Sequence, residues 1–207
     1  MTTAQDRFQQ LYDIADSQCG MFTAKQAASV GYSSRVQTYH VQREDWQREW
    51  RGIYRLRFYP HVGPSDLMTW YLWSCDRSGK PEGVFSHDTA LELHELSTWS
   101  GNRVHMTVPK GFKRRIIPKA LRLHPGELRH FEITSASHVP VTTATRTILD
   151  LLQANSIPRH HLIEAFQESR KRGLITQSDM RSQFWTDDER RLLQTLADDA
   201  LTYKTEA

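Results

Sequence analysis

The sequence predicts an α+β protein in two parts: three short helices closed by a β-hairpin, then a longer mixed segment of helices and a small sheet. Two observations predict the first part. Residues 22–43 read as a capped helix, a glycine turn and a second helix, and residues 46–58 alternate bulky and charged side chains around Arg51-Gly52. One observation predicts the second part. After residue 84, short alternating runs such as Val104–Val108 are interleaved with amphipathic stretches.

The first helix is expected over Thr3–Ser17, where Phe8, Leu11, Tyr12 and Ala15 share a face, and Cys19-Gly20 ends it. Thr23-Ala-Lys-Gln26 is a capping box, with Phe22 at the staple position before it. Gly31 stops that short helix, and Ser33 or Ser34 caps a third through about Arg43. Trp46–Trp50 and Ile53–Phe58 then form a hairpin. Three helices and a hairpin in this order describe a winged helix-turn-helix, expected over residues 1–60.

Residues 61–83, with Pro64, Gly79 and Pro81 around a helix over Ser65–Cys75, are expected to be a junction. Residues 84–207 make the mixed α+β part. A helix over His87–Leu96 is capped by Ser86, and strands are expected at Val104–Val108, Ala120–Leu123 and Phe131–Ile133. Thr142 or Thr143 opens a helix with Ala144, Ile148, Leu151 and Leu152 on one face. Residues 159–171 form another, and the capping box Thr186–Glu189 opens a last one lined by Leu192, Leu196 and Ala200.

Composition restricts the function classes. The 207 residues are 38% hydrophobic and 25% charged, the profile of a folded globular chain. No run of about 18 apolar residues is present, so no membrane partner is expected. Two cysteines, Cys19 and Cys75, are too few for a disulfide framework, and the expected location is the cytoplasm. Net charge is only +3, but residues 103–173 hold 13 Lys and Arg against 5 Asp and Glu. Two readings stand: a basic face for an anionic partner, or a solvated surface balanced by acidic neighbours.

In a helix-turn-helix the third helix enters the major groove. Ser33, Ser34, Arg35, Gln37 and Thr38 fill its leading positions, with His40 and Arg43 further along. Arg forks onto guanine and Gln onto adenine, while Ser and Thr touch phosphate. Val36 and Val41 are expected to face the core, with Tyr39 bridging. Arg48, Arg51 and Arg55 on the hairpin suit the flanking backbone or minor groove. The competing reading is a helical protein-interaction module whose arginines are merely solvated, and Asp45 and Glu49 weaken the attraction for phosphate.

At this point the sequence resembles a known family, the AbiEi-type antitoxins. The resemblance is carried by Phe22-Thr-Ala-Lys-Gln-Ala-Ala28, Gly31-Tyr-Ser33 and Arg51-Gly-Ile-Tyr-Arg55. It continues in Phe85-Ser-His-Asp-Thr-Ala-Leu-Glu-Leu-His94, Val104-His-Met-Thr-Val-Pro109 and the run Val139–Leu151, all in family order. It implies a repressor of its own promoter, bound as double-stranded DNA at inverted repeats. It also implies a C-terminal domain that counteracts a nucleotidyltransferase-like toxin in a type IV toxin–antitoxin system. By position, Ser33–Arg43 and Arg48–Arg55 face DNA, and the basic stretch Lys110–Arg122 belongs to the antitoxic domain. One departure is Glu44, where relatives often carry glycine after the recognition helix.

Signatures of catalysis are sparse: there is no phosphate loop and no dinucleotide fingerprint, so no enzyme, no catalytic residue and no cofactor is expected. No metal site is expected either. His160-His161 point about 100° apart on a helix, and His87 and His94 share a face without Asp88. Ser86-His87-Asp88 reads as a helix cap with an acid in the first turn rather than a triad. Arg146 is expected to pair with Asp150 four residues on, with anion binding as the alternative. Lys110, Lys113, Arg114, Arg115, Lys119 and Arg122 form the densest basic cluster, with Phe112 available for stacking on a nucleic acid; an exposed strand-end loop is the plain alternative. Arg170-Lys-Arg172 ends a helix, where cations suit the dipole.

Overall fold

A computed structural model of the chain describes residues 3–60, 65–114 and 116–203. It is an α+β protein that divides into two compact units. Met1–Gly83 with Ser137–Val139 make the first, and Val84–Ala136 with Pro140–Ala207 make the second. Among the described residues no helix is long and apolar enough to cross a membrane.

The first unit runs α1 (Ala4–Asp16), β1 (Met21–Thr23), α2 (Ala24–Ser29), α3 (Ser34–Gln42), β2 (Trp46–Trp50), β3 (Ile53–Leu56) and α4 (Ser65–Trp73). Two capping boxes start its helices. The Thr3 hydroxyl accepts from the Asp6 amide at the head of α1. At the head of α2, Thr23 accepts from the Gln26 amide at 3.1 Å while its own amide donates to Gln26 Oε1 at 2.7 Å. The expected hairpin forms, and β1 joins it to give an antiparallel sheet of order β1-β3-β2. Gly52, at φ 75°, supplies the left-handed turn residue. Leu11, Phe22, Tyr32, Trp46, Tyr54 and Leu56 make the core. Phe22 meets Trp46 edge-on, with ring centroids 4.8 Å apart.

Strand β1 was not anticipated because all three of its residues are buried, which leaves no alternation to read. On α3 the expected inward face is corrected: Val36 is exposed, and Gln37 is the buried residue. The Gln37 amide donates to the carbonyls of Ala24 and Tyr32 at 2.9 and 2.8 Å. A polar side chain goes inside because two carbonyls at the α2–α3 turn need a donor. Pro64 of the expected junction lies outside the described residues.

The second unit contains β4 (Val84–Phe85), α5 (His87–Leu93), β5 (Val104–Val108) and β6 (Leu121–Pro125), followed by a 3-10 turn (His130–Glu132). Then come β7 (Ile133–Ala136), β8 (Val139–Thr142), α6 (Ala144–Ala154), α7 (Arg159–Lys171), α8 (Gln177–Met180) and α9 (Asp187–Tyr203). The sheet order is β6-β5-β4-β8-β7. Strands β5 and β6 are parallel neighbours, so a crossover connects them, with no helix among its described residues. The helical core joins Leu91, Ile148, Leu151, Phe166, Leu193 and Leu196. Leu192, expected on the inner face of the last helix, is only partly buried, and Leu193 takes the inner position.

Three further expectations in this unit are corrected. Phe131 and Glu132 lie in the 3-10 turn rather than in a strand, and the strand begins at Ile133. Helix α5 ends at Leu93, and Ser86 makes no side-chain cap bond to it. Strands β4 and β8 were missed: both are short and inward-facing, and β4 pairs with β5 antiparallel and with β8 in parallel.

Candidate nucleic-acid interface and a buried histidine cluster

Helix α3 packs on α2 and β2 and keeps most of its circumference in solvent. Of the residues predicted to face DNA, Ser33, Ser34, Arg35, Thr38 and Arg43 are exposed, as are Arg48 and Arg51 on the hairpin. Arg43 donates to the Tyr39 hydroxyl at 2.9 Å and lies 5.4 Å from its ring centroid. That contact holds a tyrosine and a guanidinium together on the outer surface. Three predicted residues are placed elsewhere. Gln37 is internal. Arg55 is 1% exposed, with its Nε donating to Glu49 at 2.6 Å. His40 is half-buried, its ring stacked on Trp46 and its Nδ1 3.0 Å from Asp45. The acids that weakened the expected hairpin charge are thus partly consumed by internal pairs. Glu44 lies at φ 61°, a left-handed position that favours glycine, and it pairs with Arg57 at 2.7 Å.

In the second unit, Lys110, Lys113, Arg114, Lys119 and Arg122 are exposed along the β5–β6 crossover and its edge strand. Arg115 lies outside the described residues. Beneath the loop is a shallow groove whose lining includes Val108, Phe112, Ile117 and Leu123, with Lys110 and Arg114 at its rim. Ile116 and Ile117 are 73% and 51% exposed, so the basic loop carries apolar as well as cationic surface.

The interior of the same unit holds a chain of polar side chains. Glu132 is fully buried. It accepts from Arg129 Nη2 at 3.0 Å and Nε at 3.1 Å, and from Arg146 Nη1 at 3.0 Å. Arg146 Nε also donates to Asp150 at 2.8 Å, the expected pair, and its Nη1 lies 3.7 Å from Glu189. Burial works to raise the Glu132 pKa, but the two guanidiniums and the Arg129 amide hold it below the usual range. Burial pushes Asp150 up to about 6 against the pull of Arg146.

Asp150 Oδ2 lies 4.0 Å from Nδ1 of His87, the start of a histidine cluster. His87 is the first residue of α5, held at φ 52°. Its Nδ1 is 3.0 Å from Ser86 Oγ, and that oxygen accepts from Thr107 Oγ1 at 2.8 Å. Ser86 does occupy the N-cap position of α5 with Asp88 in the first turn, as expected, but its hydroxyl turns to His87 instead of capping the helix. The run is no triad, because Ser86 and Asp150 both face the same imidazole nitrogen. His105 on β5 and His124 on β6 complete the cluster. Parallel register sets Thr107 opposite His124, so His105 is the diagonal neighbour of His124 on one sheet face. Ring centroids are 3.6 Å apart for His87–His124, 5.1 Å for His105–His124 and 5.8 Å for His87–His105. Burial pushes the pKa of His87 down to about 3 and those of His105 and His124 to about 4, with the neighbouring imidazoles and Arg122 adding to the shift. All three rings are neutral near pH 7.

His94 stands apart from them, with its Nε2 2.7 Å from the Thr142 carbonyl, and His160 and His161 lie side by side on α7. His105 and His124 were not singled out from the sequence. Both histidines lie on the polar face of their runs, the face that carries Thr107 and exposed Arg122, which a sequence reading assigns to solvent; that the runs would lie adjacent and parallel under α5 was not legible.

No family model matches the chain, and no similar protein was found among curated ones.

Proposed function

We propose that the first unit is a winged helix-turn-helix that binds duplex DNA, with α3 as the recognition helix and the β2–β3 hairpin as the wing. One observation carries this reading: α3 buries a single side chain, Gln37, and presents Ser34, Arg35, Thr38 and Arg43 to solvent. A helix held at its base by Gln37, His40 and Val41, with donors on its outer surface, suits insertion into a major groove. Arg48 and Arg51, exposed on the hairpin, supply cations for the flanking phosphates. Gln37, Arg55 and His40 act in this reading as supports of the helix and hairpin.

The ordered resemblance to AbiEi-type antitoxins, which spans roughly residues 8–155, extends the proposal into the second unit. The protein would be a cytoplasmic autorepressor acting at inverted repeats of its own promoter and opposing a nucleotidyltransferase-like toxin. The second unit is then the antitoxic part, and the exposed basic loop around Lys110, Lys113 and Arg114 is its contact surface. The apolar side chains in that loop favour a second reading in which the unit binds a protein partner directly.

Fluorescence anisotropy on the chain's own upstream DNA, against scrambled DNA at two salt concentrations, tests the first claim. Selective binding that weakens with salt, and falls at least about 10-fold in the Arg35→Ala/Arg51→Ala variant, is the expected result. Equal binding to both DNAs, or none, overturns the repressor reading. Co-purification of an adjacent-gene nucleotidyltransferase would favour direct contact by the second unit.

A further inference from the structure

We propose that His87, His105 and His124 form a binding site for a divalent transition-metal ion of the zinc class, tying helix α5 to strands β5 and β6. One ligand-capable atom from each of the three residues lies within 4.8 Å of the other two. They arrive from three separate elements, the first turn of a helix and two parallel strands, so the tertiary fold assembles the triad.

Three features of the cluster point to an ion rather than to packing alone. Nδ1 of His105 and Nε2 of His124 are buried without a hydrogen-bond partner, although His105 is only 4% exposed. Two orphaned ring nitrogens inside a folded unit are costly unless something takes their lone pairs. The His87 ring is oriented as ligating histidines usually are, its Nδ1 facing Ser86 Oγ at 3.0 Å, and the Asp88 carboxylate stands 3.8 Å from His105 Nε2, within ion-pair range but beyond a direct hydrogen bond. A carboxylate or hydroxyl behind the ring fixes the tautomer and leaves the other nitrogen for the metal. His87, finally, sits at φ 52°, a conformation uncommon for a non-glycine residue and found where a side chain must be aimed.

The rings are neutral at physiological pH, as metal ligation requires. Bonds of about 2.1 Å in a tetrahedral site place ligand nitrogens about 3.4 Å apart, so on loading the cluster tightens from its 4.8 Å spread by imidazole rotations that unstack His87 from His124. Three imidazoles with no thiolate select zinc, cobalt, nickel or copper over magnesium and calcium. Asp88 and Asp150, each at 4.0 Å or less from a ligand ring, offset the ion's charge. The inference stands independently of DNA binding, since every residue it uses belongs to the second unit.

The test uses the full chain without a histidine tag. Chelator-stripped protein is titrated with zinc by calorimetry and with cobalt by visible absorption. The expected result is about one ion per chain, tetrahedral ligand-field bands without thiolate charge transfer, and a melting temperature that rises with free zinc. His105→Gln and His124→Gln should each lower affinity at least about 100-fold, and Asp88→Asn about 10-fold, while a His160→Gln/His161→Gln control retains the site. If the stripped wild type takes up no zinc or cobalt at micromolar concentration, the proposal fails without recourse to any variant. Unchanged affinity in folded His105→Gln and His124→Gln, checked by circular dichroism, overturns it equally.

Discussion

The two units handle polar side chains in opposite ways. In the first, α3 and its C-cap turn Ser34, Arg35, Thr38 and Arg43 outward, while Gln37 is buried and His40 and Val41 lie against the core, so the helix's charge is available to a polyanion. In the second, a chain of polar groups from Glu132 through Arg146 and Asp150 to the three histidines runs inside the unit, with exposed Arg129 at its outer end. The exposed arginines of α3 contribute little to stability, because solvent and salt screen them. The buried groups of the second unit depend on one another, because each leaves a neighbour unpaired when removed. Charge count alone does not distinguish these cases; enclosure does.

Removing the guanidinium at the centre of the internal chain is the strongest way to break this contrast. Arg146→Leu leaves Glu132 and Asp150 without a shared cation. It should cost the second unit about 3–5 kcal/mol, read by denaturant-dependent hydrogen exchange resolved to peptides of each unit. A loss under about 1 kcal/mol would mean that water reaches the network and the contrast is false.

Neighbouring positions on α3 sharpen the same point. Gln37→Ala strips the donors from the Ala24 and Tyr32 carbonyls and should cost the first unit about 1–3 kcal/mol. Thr38→Ala should change stability by less than about 0.5 kcal/mol yet weaken DNA binding several-fold. If the two variants behave alike in melting and anisotropy, α3 has no distinct outer surface.

Acid provides a third contrast. Burial holds the pKa of His94 below 6.5, partly offset by the Thr142 carbonyl. The unfolded chain therefore binds this proton more tightly than the native one. The His94 contribution is fully present above about pH 6.5 and is lost as pH falls toward the folded value, with a slope of at most about 1.4 kcal/mol per pH unit, added to the same-sign contributions of His87, His105 and His124. His94→Gln should reduce the pH dependence of melting in that window by no more than this share, and an unchanged profile would place the titration in the other three. A small effect of the opposite sign belongs to Glu44. Glu44→Gly relieves a left-handed backbone but gives up the exposed Arg57 pair, so stability should rise by no more than about 1 kcal/mol in thermal melts.

Much of the first unit was legible because its signals are local. The Thr23–Gln26 capping box, the Gly52 turn and the alternation of the hairpin each lie within a few residues of the contacts they predict. The misreadings arose where a distant partner decides. Gln37 and Arg55 read as surface residues until the Ala24 carbonyl and Glu49 are brought to them. Phe131 looked like strand until Arg129 and Glu132 closed a 3-10 turn around each other. The histidine cluster is the extreme case: it depends on parallel register between β5 and β6, and no spacing in the chain encodes that.

The strand order of the second unit also sets a timetable for the nascent chain. The sheet of the first unit closes once Leu56 has been synthesised, because β1, β2 and β3 all precede it. In the second, β4 pairs in parallel with β8, so the five-stranded sheet stays incomplete until Thr142 has emerged. At roughly 5–20 residues per second the two events are separated by on the order of ten seconds. From the emergence of Met106 until that of Thr142, Phe85 and Met106 can pair with each other but have no finished sheet to enter.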